Sequence, residues 1–143
     1  MRRYKLLFRA FHFYVGLGGV ESCPHSHIYR VEVVGDVPTN ALEDLVAELS
    51  GRLLNDWEGL LYPEPTTENL AASIFRRLSR GGWRIRWVSV EEDGTVRSLY
   101  DGSDVWVSVR KSRPRRTAVC AVKGSFSPSG FAANLKDISA LCP

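Results

Sequence analysis

Three histidines are the residues of this sequence whose type and spacing could bind a metal. His25 and His27 lie one residue apart, and His12 is the only other histidine among 143 residues. Successive side chains of a β-strand point to opposite faces, so a strand over 25–34 would place His25 and His27 on one face. A neighbouring strand over 4–13 would bring His12 close to them. Three imidazoles on one sheet face suit Zn²⁺ with a fourth position open for water or substrate, as in catalytic zinc sites.

The hydrophobic pattern predicts the hairpin that would hold these histidines. Over residues 4–13 the alternation places Leu6, Phe8, Ala10 and His12 on one face of a strand. Residues 15–24, VGLGGVESCP, contain glycines and a proline and predict a long connecting loop. The alternative interpretation is that the two adjacent histidines are a chance pair on a half-exposed strand.

Two helices are predicted after this hairpin. Asn40, with Glu43 three residues later, has the form of an N-terminal capping pair for the first. A second helix is predicted to start at Thr66 or Thr67, with Glu68 favourably placed for the helix dipole. The first helix has apolar residues at helical spacing at Leu42, Leu45, Val46, Leu49 and Leu53.

Strand patterns occupy most of the remaining chain. Residues 83–92, 95–102 and 104–111 are predicted as strands, with 117–122 as a last strand and 131–141 as a short last helix. The order strand, strand, helix, helix, strand, strand predicts an α+β fold. Its sheet would be antiparallel, with both helices between strands two and three and gathered on one face.

Composition is that of a soluble globular protein of one domain. Apolar residues make up 44% and charged residues 24% of the chain. No apolar run approaches the ~20 residues that cross a bilayer, and no small-residue cleavage site follows the basic N-terminus, so a cytoplasmic protein is expected. The net charge of +3 (19 basic minus 16 acidic residues) suits an anionic small-molecule substrate. Three cysteines at irregular spacing do not indicate a disulfide framework.

Four short motifs occur together in this sequence. Each is weak evidence by itself, but their order and spacing together are specific. They are FRAFH at 8–12, HSH at 25–27, PTTEN at 65–69, and Glu92 followed eight residues later by Tyr100. Together they resemble the 6-pyruvoyl-tetrahydropterin synthase and 6-carboxytetrahydropterin synthase family. The corresponding family motifs are Phe-x-Ala-Ala-His, His-Gly-His, Pro-Thr-Ser/Thr-Glu-Asn, and a strand-end glutamate with a following tyrosine.

The resemblance implies a fold, a metal and an assembly. The fold would be the tunnelling fold, in which small subunits assemble into barrels, usually hexamers made of two trimers. His12, His25 and His27 would be the ligands of Zn²⁺. Residues 1–111 would form the tunnelling-fold domain, with 112–143 as a C-terminal extension of the same domain, and the chain is expected to be a homo-oligomer.

The resemblance also implies where a pterin would bind. Glu92 would hold the ring, because a carboxylate accepts two parallel hydrogen bonds from a ring N–H and an exocyclic amino group. Glu91 beside it is the alternative. Thr66, Thr67 and Glu68 would line the pocket from a neighbouring subunit, although the two threonines could also serve only as a helix cap.

Two catalytic features depart from the family pattern. The family's general base is a cysteine four residues before the histidine pair; Glu21 occupies that position here, and Cys23 lies two residues later. Glutamate can take and return a proton if burial raises its pKa, so Glu21 or Cys23 would be the catalytic base. Alternatively, both belong to a loop without a catalytic role. The family's catalytic Asp-His pair is replaced by Ser50 and Gly51.

Three functional hypotheses follow. The first is a zinc-dependent pterin lyase acting on 7,8-dihydroneopterin triphosphate or a close analogue. The second is a non-catalytic zinc- and pterin-binding homologue that has lost the Asp-His pair, and the third is a structural oligomer whose histidines bind nothing. Membrane and nucleic-acid partners are not expected. Arg113, Arg115 and Arg116 form a short cluster with one aromatic residue near it, Trp106, which is typical of a solvated turn.

Overall fold

The computed structural model describes residues 1–15, 19–112 and 117–132. Within them six strands form one antiparallel sheet, in which neighbours in sequence are neighbours in space. The predicted α+β class, with an antiparallel sheet and two helices, is confirmed. The elements in chain order are β1 Arg2–His12, β2 His25–Asp36, α1 Thr39–Leu49, α2 Thr67–Arg80, β3 Arg84–Glu92, β4 Val96–Tyr100, β5 Val105–Ser112 and β6 Thr117–Gly124.

The first two strands pair in the register that the histidine hypothesis requires. His12 lies directly opposite His25, and Ala10 lies opposite His27. Because cross-strand partners point to the same side of a sheet, all three imidazoles lie on one face. The predicted hairpin is therefore confirmed.

Both helices pack on the sheet face that carries the histidines. The buried core lies between the two layers, and each fully buried aliphatic side chain contributes ~1.5–3 kcal/mol relative to its exposure to water. This packing holds the start of α2 against the histidine end of the hairpin. The largest core residues include Phe8, Tyr29, Val31, Leu45, Leu49, Leu54, Leu70, Ile74, Val88 and Val90.

The first helix differs from the prediction at both ends. It starts after Pro38, which is extended at φ −68° and ψ 144°, and no side chain of the described residues caps it. The predicted capping pair of Asn40 and Glu43 is therefore wrong; the proline precedes the helix and offers no side-chain acceptor. The helix also ends before Leu53, which is extended at ψ 106°.

The second helix begins where the sequence predicts. Thr66 is its N-cap, and Thr66 Oγ1 accepts a hydrogen bond from the backbone N–H of Asn69 at 3.1 Å. Glu68 lies in the first turn, and the helix ends at Gly81. This segment places the PTTEN motif at the edge of the core.

The two cysteines that the structure describes differ in their bonding. Cys120 of β6 is disulfide-bonded, whereas Cys23 has a free thiol. A single disulfide does not contradict the prediction, which concerned only a framework of several disulfides.

Two predictions fall outside the described residues: the basic cluster at 113–116, and the short helix over 131–141 apart from its first two positions. No helix in the described ranges has the length and apolar character needed to cross a membrane.

Candidate metal centre

The side chains of His12, His25 and His27 converge at the end of the β1–β2 hairpin. Ring centroids are 4.6 Å apart for His12 and His25, 4.6 Å for His12 and His27, and 4.8 Å for the remaining pair. One ring nitrogen from each lies within 4.8 Å of the other two. This arrangement fits three imidazole ligands of a single ion.

Backbone carbonyl groups hold two of these rings in a defined orientation. His25 Nδ1 donates to the carbonyl oxygen of Cys23 at 2.8 Å, and His12 Nδ1 lies 3.4 Å from the carbonyl oxygen of Pro65. A carbonyl oxygen only accepts, so the proton is assigned to Nδ1 and the lone pair to Nε2. The two Nε2 atoms face each other at 3.0 Å. Two opposed lone pairs repel, and a cation between them removes that repulsion.

The third ring is held by a carboxylate. Asp93 Oδ2 accepts a hydrogen bond from His27 Nδ1, and Asp93 Oδ1 accepts one from the backbone N–H of Ile28 at 2.9 Å. Burial acts to raise the pKa of Asp93, but these hydrogen bonds prevail and lower it. His27 Nε2 is buried and has no hydrogen-bond partner among the described residues. A buried nitrogen that keeps its lone pair toward the cluster is a position that a metal ion can fill.

His12 is already in the protonation state that a metal requires. It is completely buried, and burial, with a smaller effect of the neighbouring His27, lowers its pKa to about 4. The neutral imidazole is the form that coordinates a metal. The three imidazole nitrogens therefore fit a metal ion of intermediate softness, which prefers nitrogen ligands.

Glu92 lies on the same sheet face as the histidines. Its Oε1 atom is 3.2 Å from His27 Nε2, and it pairs across the sheet with Tyr29. Glu91 pairs instead with Arg30 and so lies on the opposite face. Burial raises the pKa of Glu92 to about 8, and nearby carboxylates add to the rise. Of the two adjacent glutamates, the structure brings only Glu92 to the cluster.

The two candidate bases occupy different positions. Glu21 Oε2 lies 3.7 Å from His25 Nε2, and the Glu21 carbonyl accepts a hydrogen bond from the backbone N–H of Tyr14 at 2.6 Å. Cys23 is exposed and contacts His25 through its carbonyl group. The carboxylate of Glu21 is thus at the cluster, whereas Cys23 positions a ligand through its backbone.

The residues of the PTTEN motif are buried beside the cluster of their own chain. Thr66 Oγ1 donates to the carbonyl oxygen of Gly130 at 2.7 Å, and the hydroxyl groups of Thr67 and Ser98 form a hydrogen bond of 2.7 Å. Burial raises the pKa of Glu68. The capping role of Thr66 is confirmed, and both threonine hydroxyls have partners within the chain.

The positions of the missing Asp-His pair connect α1 to β1. Ser50 ends the helix through a hydrogen bond from its N–H to the carbonyl oxygen of Val46. Gly51, at φ 71°, donates from its N–H to the carbonyl oxygen of Arg9 at 2.7 Å. Neither side chain can exchange a proton near neutral pH.

Sequence reasoning missed two residues of the site. Asp93 lies in a Glu-Asp-Gly turn with a φ of 50°; the Asp-Gly pair signals a turn but not a contact with a histidine. Tyr14 has its ring 4.6 Å from that of His12, and no sequence pattern indicated this.

The four motifs that resemble those of a known family all lie in the part of the chain that one family model matches. The family model described as 6-pyruvoyl tetrahydropterin synthase matches residues 3–103, which is most of the chain. The chain belongs to this family.

Membership in the synthase family supports a pterin-related, lyase-type role, and the family uses a metal that the histidine cluster could hold. A search of curated proteins found no significant match to the chain. The residues from 104 onward lie outside the match with the synthase family.

Proposed function

We propose that this protein is a zinc-dependent pterin lyase acting on 7,8-dihydroneopterin triphosphate or a close analogue. The observation that carries the proposal is the convergence of three histidine Nε2 atoms whose Nδ1 atoms face oxygen acceptors. An all-imidazole donor set favours Zn²⁺ over Ca²⁺ or Mg²⁺, which prefer oxygen ligands. Membership in the synthase family supports the substrate class.

The proposed reaction is the removal of a proton from the pterin side chain, followed by cleavage of a carbon–oxygen or carbon–carbon bond. In the first case the triphosphate leaves with the bonding electron pair, and in the second the side-chain fragment leaves as an aldehyde. Bound zinc supplies a Lewis acid that polarises a side-chain oxygen of the substrate and makes the neighbouring proton more acidic. Glu21 takes that proton and returns it, which its carboxylate position beside His25 supports. Cys23 is the weaker candidate because its thiol is exposed.

Glu92 is proposed to hold the pterin ring. Its carboxyl group lies on the histidine face next to His27, and in its ionised form it can accept hydrogen bonds from a ring N–H and an exocyclic amino group. The buried position strengthens such bonds, because little water competes for them. Thr66, Thr67 and Glu68 are also proposed to line the pocket; all three are buried, and Pro65, which precedes them, contacts His12.

We also propose that the subunits adopt the tunnelling fold and assemble as hexamers of two trimers. The sheet face away from the helices exposes Leu7, Ile28 and Trp106, and apolar side chains on one face favour contact with further copies. Light scattering coupled to size-exclusion chromatography tests this point; a monodisperse monomer would contradict it.

The experiment for the catalytic proposal has two stages. Metal analysis of the purified protein is expected to find zinc, and a metal-free protein that also fails to bind added zinc would rule out the zinc proposal. The zinc-loaded protein is then incubated with 7,8-dihydroneopterin triphosphate, and pterin products are separated by chromatography. New products are expected from wild type and from Cys23→Ala, but not from Glu21→Ala. If both variants remain active, the assignment of the base is wrong.

The second candidate is a non-catalytic zinc- and pterin-binding homologue. It is favoured by the absence of a titratable side chain at Ser50 and Gly51, where the family has its Asp-His pair. Under this hypothesis the protein binds zinc and retains a pterin by equilibrium dialysis, but leaves the triphosphate unchanged. That combination would replace the lyase proposal.

A further inference from the structure

Residues 125–132 follow β6 and fold back onto the segment that leads into α2. The ring of Phe126 stacks on that of Tyr62, with centroids 4.9 Å apart and planes inclined by 16°. The backbone N–H of Glu64 donates to the carbonyl oxygen of Ser129 at 2.8 Å. These contacts attach the segment at its beginning and near its middle.

The segment is closest to α2 at Gly130. The carbonyl oxygen of Gly130 accepts the hydrogen bond from the hydroxyl of Thr66. Gly130 has a φ of 109°, and a Cβ atom there would lie 2.9 Å from the carbonyl oxygen of Glu64. Only glycine satisfies both conditions without displacement of the chain. The approach of this segment to the N-terminus of α2 is therefore built into the sequence.

This approach brings Phe131 to the metal centre. Its ring centroid lies 5.4 Å from that of Tyr14, and Tyr14 in turn lies 4.6 Å from the ring of His12. The next residue, Ala132, donates from its N–H to Glu68 Oε2 at 3.4 Å. A row of three aromatic rings thus runs from the half-buried Phe131 to the first histidine of the cluster.

The row of rings lies beside the carboxyl groups of the site. The ring of His27 lies 4.6 Å from that of His12, and Glu92 Oε1 lies 3.2 Å from His27 Nε2. The row of rings therefore continues through the histidines to the residue proposed to hold the ring edge of a pterin. An aromatic surface next to hydrogen-bond acceptors is a suitable site for a flat heteroaromatic ring.

We propose that Phe131 is a specificity-determining residue: with Tyr14 it forms an aromatic wall against which the bicyclic ring of a bound pterin packs. This inference rests on the proposed function, because it assumes that the ligand is a pterin. It goes beyond the family match, which ends at residue 103. Stacking of a heteroaromatic ring on an aromatic side chain contributes roughly 5- to 150-fold in affinity.

The test measures binding and not turnover. Neopterin is fluorescent, and its dissociation constant for the zinc-loaded protein can be obtained by fluorescence titration. Phe131→Ala and Phe131→Leu are expected to raise this constant at least about fivefold, while the zinc content stays at the wild-type value. The leucine variant keeps an apolar side chain of similar size, so that folding is preserved while the ring is removed. The control is Trp87→Leu, which removes a half-buried aromatic ring from the opposite sheet face and is expected to change the constant less than twofold.

The outcomes separate this inference from the proposed function. If wild type binds neopterin and both Phe131 variants bind it equally well, the inference is overturned while the proposed function stands. If the zinc-loaded wild type binds no neopterin, the pterin function fails, and the inference fails with it. If the leucine variant loses zinc along with neopterin, Phe131 supports the metal centre and does not contact the ligand, which also overturns the inference.

Discussion

Asp93 is the residue whose replacement tests the metal centre most sharply. One carboxylate oxygen accepts a hydrogen bond from His27 Nδ1, and the other accepts one from the backbone N–H of Ile28 at 2.9 Å. The φ of Asp93 is 50°, a conformation that asparagine also adopts readily. Asp93→Asn therefore preserves the turn and one acceptor oxygen, but it removes the charge and the second acceptor.

The expected effect follows from the loss of one charged hydrogen bond. Removal of the group that accepts the hydrogen bond of a metal-bound histidine typically lowers metal affinity about 10- to 100-fold. The Asp93 side chain is 46% exposed, so solvent screens part of its interaction with the imidazole. We therefore expect the lower part of that range, a rise of about 10- to 30-fold in the zinc dissociation constant, equivalent to ~1.4–2 kcal/mol.

The assay is a competition titration against a chromophoric chelator of known zinc affinity. Glu91→Gln is the matched control, because it also removes a carboxylate from the β3 end but from the opposite sheet face. We expect less than a twofold change for this control. Circular dichroism of the metal-free proteins checks that each variant is folded. A folded Asp93→Asn protein with the wild-type dissociation constant would refute the argument that Asp93 orients His27 for metal binding.

Four further measurements test the fold and the coupling of the metal to it. Thr66→Ala is expected to lower the free energy of unfolding by ~1–2 kcal/mol through loss of the cap on α2, whereas Thr66→Ser should retain most of it; equal losses in denaturant titrations would contradict this. Ile74 is fully buried, so Ile74→Ala should lower the free energy of unfolding by ~2–5 kcal/mol in the same titrations, and Ile74→Val by ~0.5–1.5 kcal/mol. Losses as small as those at exposed positions for both variants would show that Ile74 does not pack in the core. A zinc chelator is expected to lower the Tm of wild type but not that of His12→Gln, because only an intact ligand set links metal binding to folding; an equal decrease in both would argue against the cluster. Backbone hydrogen bonds to the Asp101 carboxylate, chiefly from the N–H of residue 104, lower its pKa. The ionised side chain therefore stabilises the folded protein above the ordinary aspartate pKa, and this stabilisation is lost as the pH falls through the lowered pKa. The Tm difference between wild type and Asp101→Ala should therefore shrink in acid, and a difference that persists would contradict this origin.

The histidine cluster could be predicted from the sequence because it depends on two short-range rules. Strand alternation puts His25 and His27 on one face, and antiparallel pairing with the preceding strand puts His12 opposite His25. The register is the one that buries the apolar residues of both strands on the helix side, since a slip of one residue would expose them. The N-cap at Thr66 was equally predictable, because a cap involves only neighbouring residues.

The end of α1 shows where periodicity fails. Apolar spacing continued to Leu53, but the helix ends at Leu49. After it, the chain turns so that the carbonyl oxygen of Arg52 accepts a hydrogen bond from the backbone N–H of Phe11 at 2.8 Å. The hydrogen bonds gained along β1 replace those of a longer helix, and hydrophobic spacing carries no information about that exchange.

The sequence alone determined the candidate metal ligands, the start of α2 and the pairing of the first two strands, since each follows from neighbouring residues or from consecutive strands. Only the tertiary structure decided which groups surround the ligands. Asp93 reaches His27 across 66 positions, the Pro65 carbonyl approaches His12 across 53, and Phe131 comes from a segment beyond the family match. Those distances close because β3 pairs with β2, the helices pack on one face of the sheet, and the chain returns after β6. A local pattern cannot report these events, because each depends on how whole elements fit together.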